Sequence, residues 1–274
     1  MSPDNSNPQL VTAHRDLGDD WFELEVEAPE IASQVRAGQF VQVAVGAEDA
    51  PLTRRPFSVF DVRPHDGVPR NIALLCQVVG VGTRWLNELR AGDRVDLLGP
   101  LGNPLPHPDL PTDGVMFLVG GGIGVAPLFL YTRELLARVA APRFEVVLGA
   151  RRSSLLKGGD AFAALGVAVH AATDDGSAGF HGNVVELLQR RIAEHDGVEI
   201  AGIGCGPHGM NVALRDFAVR REIPFWISLE NVMPCGFGAC FGCVIESPAG
   251  SERRYRRVCV EGPAFLASEL PAHF

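Results

Sequence analysis

Up to about residue 100, apolar residues recur at every second position in short runs. WFELEVEA, QFVQVAV, PFSVFDV, NIALLCQVV and DRVDLLG are separated by Gly, Pro and Asp. A period of two belongs to strands with one covered face, and turn residues at such intervals predict a small antiparallel β-barrel over residues 8–100. GPLGNPLPHPDLPTDG, residues 99–114, then places five prolines in sixteen residues. That run continues neither a helix nor a central strand, and it predicts a linker over 101–114. From residue 115 the pattern changes. VMFLV is a continuous apolar run of the parallel-strand type, followed by a glycine turn and PLFLYTRELLARV, whose apolar residues recur at helical spacing. FEVVLGA, VAVHAAT, IAGIGCG and PFWISLE read as further strands, with NVVELLQRRIAEH and GMNVALRDFAVRRE as helices between them. The alternation predicts an α/β unit over 115–229, an open parallel sheet with helices on both faces. A cysteine loop follows its last strand.

Composition narrows the class. The 274 residues are 46% hydrophobic and 21% charged, enough for two folded units with their own cores. A formal charge of -9 argues against nucleic acid or an anionic membrane as partner. MSPDNSNPQLVTAHRDLGDDW lacks the basic and apolar runs of a secretory signal, and no stretch approaches the length of a membrane span. The expected location is therefore the cytoplasm, where six cysteines do not suggest a disulfide framework and clustered ones suggest metal.

Four of those cysteines, Cys235, Cys240, Cys243 and Cys259, are spaced C-x4-C-x2-C-x15-C within and after PCGFGACFGCV. The x4 and x2 gaps match the plant-type ferredoxin loop around a 2Fe-2S cluster, whereas zinc ribbons usually pair C-x2-C knuckles. Gly236, Gly238 and Gly242 suit a chain that must bring backbone N–H groups close to sulfur. Structural zinc and four uncommitted thiols are the competing readings.

VGGGIGVAPL, residues 119–128, stands where strand meets helix and suits a dinucleotide pyrophosphate at a helix N-terminus, with Pro127 at the helix start. It is not a G-x-G-x-x-G fingerprint, because Val125 falls at the third glycine when counting begins at Gly120. GCGPHGM, 204–210, lies at the carboxyl end of a strand, where open α/β sheets place ligands, although a lone Cys205 reads more often as a small buried residue than as a functional one. RRPFSV, 54–59, is weak by itself; GVGTRWL, 80–86, adds small residues and a hydroxyl. The histidines show no metal-ligand spacing, and no nucleophile or acid–base catalytic residue is assigned.

Barrel, linker, nucleotide half and cysteine loop, in that order, resemble the ferredoxin-NADP reductase superfamily. More closely, residues 8 to 265 resemble the electron transfer subunits of NAD-dependent, class 1B dihydroorotate dehydrogenase. The resemblance implies FAD on the barrel, with Arg55 at the pyrophosphate and Pro56, Phe57 and Ser58 along the ribityl chain and ring. Gly82 and Thr83 match the Gly-Thr pair near that pyrophosphate, and Leu75, Cys76 and Gln77 the strand before it. The family commonly carries an aromatic and a basic residue at the last two positions, so backbone contacts survive here while a side-chain stack or charge does not. Gly121, Gly122, Ile123, Gly124 and Pro127 match the NAD(H) pyrophosphate loop, TDDGSAGFHG (173–182) a loop of the nucleotide half, and Cys205, Gly206 and Pro207 the segment facing the nicotinamide. SLENVMPCGFGACFGC and VCVEGPAF match the 2Fe-2S segment, 230–266, the latter as a strand bringing the last ligand.

The implied activity is an electron relay in pyrimidine biosynthesis, from a partner FMN-containing dihydroorotate dehydrogenase catalytic subunit through cluster and FAD to NAD+. The implied assembly is a heterotetramer of two subunits of each kind. NAD(P)H-dependent ferredoxin reductases and sulfhydrogenase gamma subunits share much of the pattern and form the alternative. Arg151 and Arg152 are placed to favour a 2′-phosphate, but NAD is the expected nucleotide. Phe237 and Phe241 flank the cluster ligands, either as core filler or as contacts for the partner.

Overall fold

The computed structural model describes residues 8–46, 53–111, 113–138 and 143–274. The first residues of the N-terminal stretch, residue 112 of the linker and the last residue of PLFLYTRELLARV lie outside them.

The N-terminal half is two antiparallel sheets. One has the order Asp61–His65, Val68–Gln77, Trp21–Glu27, Gln9–Gly18, Arg94–Val95; the other is Arg55–Ser58, Phe40–Val43, Leu97–Leu101. Alternation is clear in Trp21–Glu27. Phe22, Leu24 and Val26 enter the core, while Glu23 and Glu25 on the opposite face are bound by Arg63 at 2.6 and 2.5 Å. Pro100 sits on an edge strand, where a missing N–H leaves no ladder bond unmade. The small residues and hydroxyl of GVGTRWL fall at the start of a helix, Val81–Glu88. Thr83 Oγ1 accepts from the N–H groups of Val79 and Gly80 and so closes the first turn.

The second half is a seven-stranded sheet in the order Phe180–His181, Val169–Thr173, Arg143–Ala150, Val115–Gly121, Ile200–Cys205, Phe225–Ser228, Ala264–Leu266. The first six are parallel; the last is an antiparallel edge. Met116 and Leu118 face the side of helix Ala126–Leu136, whereas Val115, Phe117 and Val119 face that of helices Val184–Ile192 and His208–Arg220. From Val115–Gly121 the chain runs outward on one side and returns on the other at Ile200–Cys205, leaving a crevice at the carboxyl ends of these two strands.

The cysteine segment is knitted into this sheet. A hairpin of Val244–Glu246 and Tyr255–Arg257 leads into a helical turn, Val258–Glu261, and then the edge strand Ala264–Leu266. Cys259 therefore lies on the helical turn and not on a strand as expected. The Glu261 carboxylate accepts from the Arg257 backbone N–H at 2.7 Å, which starts the turn and removes VCV from any ladder. No helix among the described residues is long and apolar enough to cross a membrane.

The halves meet along helix Ala126–Leu136. Phe129 stacks on Phe60 of the barrel with ring centroids 4.6 Å apart and meets Phe162 edge-on at 5.3 Å. Arg133 pairs with Asp61, and Glu134 accepts from the Ala37 N–H at 2.8 Å. Burial raises the Asp61 carboxyl although Arg133 works against it. Removing a buried aromatic costs about 3–5 kcal/mol. Phe129→Ala should lower stability on that scale in urea unfolding, and a loss below about 1 kcal/mol would deny the ring its place in the joint.

Candidate functional site

A cleft of about 610 Å3 lies between the barrel and the crevice of the parallel sheet. Arg55, Pro56, Phe57, Ser58, Leu75, Cys76, Gln77, Gly82 and Thr83 line it together. The two sheets make this convergence, since Arg55–Ser58 and the end of Val68–Gln77 belong to different sheets and reach the same opening. The two arginines of RRPF part company. Arg54 pairs with Asp96, whereas Arg55 turns into the cleft wall, with Nη1 donating to Thr53 O at 2.7 Å. Arg55 and the N-terminus of helix Val81–Glu88 give this wall the positive end that a pyrophosphate requires.

Several side chains act differently from their sequence assignment. The Thr83 hydroxyl donates to Gly80 O at 3.2 Å besides accepting two N–H groups, so its bonds are spent on the helix start. A Cβ on Gly82 would come within 2.8 Å of Val45, so close packing explains this glycine. The Cys76 thiol is in the core, where burial pushes it up. Pro127 and Cys205 line this first cleft, and burial followed by the charge of Glu230 pushes the Cys205 thiol up as well. Ser228, Leu229, Glu230, Asn231 and Met233 complete the wall without having been singled out. Their signal was the run SLENVM, read as a signature and not residue by residue. Glu230 leaves part of its surface open to the cleft, yet desolvation raises its carboxyl.

A second cleft, about 640 Å3, crosses the carboxyl ends of the parallel strands. Gly121, Gly122, Ile123 and Pro207 line it, as do Trp21, Gly149, Arg151 and Asp174. Gly122 has φ +53° with open space where a Cβ would stand, which fits a backbone approached by a ligand. Gly124 serves the fold instead, since a Cβ there would lie 2.1 Å from Cys205 O. Gly206 borders a smaller recess with His208 and Asn211. Arg152 turns away to Asp19 at 3.6 Å. Gln77 and Ile123 border both of these clefts, so ligands in the two would meet there.

The four cysteines form two pairs. Cys243 and Cys259 are buried with Sγ atoms 3.2 Å apart, while Cys235 and Cys240 lie nearer the surface. Among the described residues no three His, Cys, Asp or Glu side chains gather around one metal ion. Two pairs suit two irons better than a single zinc. Burial raises the Cys235 thiol, but backbone N–H groups of Cys240, Phe237 and Ala239, with the Cys240 side chain, outweigh it and bring it to about 6. A thiol lowered by surrounding N–H donors fits an iron–sulfur ligand.

Barrel cleft, switch-point crevice and paired cysteines define a flavoprotein of the ferredoxin-NADP reductase class with an added iron–sulfur segment. Comparison with known proteins agrees. Residues 230–271 match the family described as the iron-sulfur cluster binding domain of dihydroorotate dehydrogenase B. The electron transfer subunit of dihydroorotate dehydrogenase B (NAD(+)) from Geobacillus kaustophilus is 38% identical over 260 residues, covering 95% of this chain and 96% of that subunit. Its counterpart from Desulforamulus reducens is 39% identical over 246 residues, 89% of this chain and 90% of that one. The chain belongs to this family of electron transfer subunits. Among solved structures, an NADH-dependent reduced ferredoxin-NADP oxidoreductase chain superposes with TM-score 0.82 and 28% identity, covering 98% of this chain and 91% of that one. Phthalate dioxygenase reductase, at TM-score 0.59 and 16% identity over 90% of this chain and 88% of that one, shares the fold.

Two outcomes follow from this geometry. A charge-assisted bond to phosphate contributes roughly 1.5–3 kcal/mol, so Arg55→Ala should weaken FAD retention by about tenfold or more. Unchanged flavin occupancy after dialysis would exclude Arg55 from the phosphate site. Cys243→Ala, which breaks the buried pair, should lose iron and acid-labile sulfide but keep FAD, and full iron retention would remove Cys243 from the ligand set.

Proposed function

We propose that this chain relays electrons from a partner FMN-containing catalytic subunit, which oxidises dihydroorotate, to NAD+ in pyrimidine biosynthesis in the cytoplasm. Residues 8–100 hold FAD, 115–229 the nicotinamide nucleotide and 230–266 the 2Fe-2S cluster, with 101–114 between the first two. When bound, the cluster passes single electrons and the flavin gathers two for a nicotinamide that takes them as a hydride. The observation that carries the reading is the shared border of the two clefts at Gln77 and Ile123, beside a wall that continues into the cysteine loop through Glu230, Asn231 and Met233.

The chain's own residues position these groups. Arg55 and the start of helix Val81–Glu88 hold the flavin's pyrophosphate, and Gly121, Gly122 and Pro207 hold the dinucleotide. Neutral Cys205 and the apolar face of Ile123 exclude water where the rings meet. Arg152 is engaged by Asp19, and the carboxylate of Asp174 lines the same cleft as Arg151, which disfavours a 2′-phosphate there. This supports NAD over NADP.

The partner meets the cluster's exposed side. Phe237 and Phe241 are 57% and 60% exposed, and Val232 beside them is also exposed. Phe241 holds φ +58° between two ligands, a conformation that disfavours a bulky residue, with the Arg257 guanidinium 5.3 Å from its ring centroid. An aromatic kept exposed at such a position suits contact with the catalytic subunit, in an assembly of two subunits of each kind. The high superposition with an NADH-dependent ferredoxin-NADP oxidoreductase chain favours a second reading, in which a ferredoxin or hydrogenase partner uses this face.

Phe241→Glu should weaken binding of the FMN subunit by roughly tenfold or more, as loss of an aromatic hot spot does. It should slow dihydroorotate-dependent NAD+ reduction while NADH still reduces the chain's own FAD. Normal binding measured by calorimetry, or loss of cluster and FAD together with activity, would end this role for Phe241.

A further inference from the structure

The strand Phe40–Val43 has two covered faces. Val41 and Val43 point into the barrel core, whereas Phe40 packs in the core that contains Cys243, Val258 and Cys259. Gln42, on the same side as Phe40, is 0% exposed, and its Nε2 donates to Met233 O at 2.5 Å across 191 positions of sequence. Its Oε1 is buried without a partner among the described residues. Gly236, next to cluster ligand Cys235, lies directly against it at φ +79°, where a Cβ would stand 2.5 Å from Gln42 Cγ. Gln42 also pairs in register with Pro56, a residue of the flavin cleft.

A buried amide with one unmade bond costs free energy that a leucine or methionine in the same place would not. What the glutamine supplies is direction. Its single bond fixes the carbonyl of Met233, two residues before the first ligand, relative to the strand beside the flavin wall. Met233 itself lines the flavin cleft, so this one side chain joins both cofactor walls.

We propose that Gln42 is a positioning residue for electron transfer, setting the separation of the cluster from the flavin without holding either one. The inference rests on the relay reading above. It predicts a lesion confined to the step between the two groups, because transfer between separated centres falls steeply with distance.

The test uses the intact chain loaded with FAD and cluster, mixed with NADH in a stopped-flow instrument that follows flavin bleaching and then cluster reduction. Gln42→Met keeps the length and loses the donor; Gln42→Asn keeps the donor and falls short of Met233. Both should retain iron, sulfide and FAD, reduce FAD at the wild-type rate, and pass electrons onward roughly tenfold or more slowly, the scale on which small misplacements of reacting centres are felt. Cluster reduction at the wild-type rate in either variant that retains both groups overturns the proposal. Loss of cluster or FAD in both variants overturns it too, since Gln42 would then retain cofactors. A wild-type chain that binds FAD and cluster but passes no electrons between them would instead overturn the relay itself.

Discussion

Most of the architecture depends on a four-residue strand that is covered twice. Phe40–Val43 is the middle of its sheet, between Arg55–Ser58 and Leu97–Leu101, and both of its faces are buried. Through Val41 and Val43 it closes the barrel, and through Phe40 and Gln42 it seats the cysteine segment. A Cβ on Gly102 would meet the Phe40 ring at 2.8 Å, so the chain leaving the barrel also runs hard against it. Close-packed interiors transmit displacement, so this short element couples the placement of the cleft wall to that of the cysteine loop.

The second dependence is the approach of two strand ends. Gly124 lies so near Cys205 O that no side chain fits, which draws the glycine turn against the end of Ile200–Cys205 at the switch point. That contact brings Ile123 to the border of both clefts and leaves Gly122 facing open space. The glycines of one motif thus divide between packing and access. Phe129 and Arg133, one turn and two turns into the helix that follows, fix the same loop to the barrel.

Much of this was legible because the signals were local. Period-two runs mark the barrel strands, the continuous run VMFLV marks a central parallel strand, and the cysteine spacing with its glycines marks the metal segment. What escaped depended on distant partners. QFVQVAV reads as an alternating strand with Gln42 outward, but residues nearly two hundred positions away cover that side. Cys259 stands between the β-branched Val258 and Val260 and yet lies on a helical turn, because Glu261 captures the Arg257 N–H. Glu230 and Asn231 enter the cleft wall only when the end of the sixth parallel strand is set beside the barrel.

The cysteine loop joins these levels. Gly236 and Gly238 take φ of +79° and +88°, and Gly238 would meet Val260 and Arg257 if it carried a side chain. Arg257 donates to Gly238 O at 3.3 Å, pairs with Glu261 at 2.8 Å, and lies over the Phe241 ring. The loop is therefore held from beneath by the turn that carries Cys259 and from the side by Gln42 of the barrel. Its backbone N–H groups lie toward sulfur as a result, and they bring the Cys235 thiol down although burial opposes them, while desolvation and then Cys243 raise the buried Cys259. A loop with few apolar side chains gains its shape from its surroundings, and that leaves Phe237 and Phe241 exposed on its outer side.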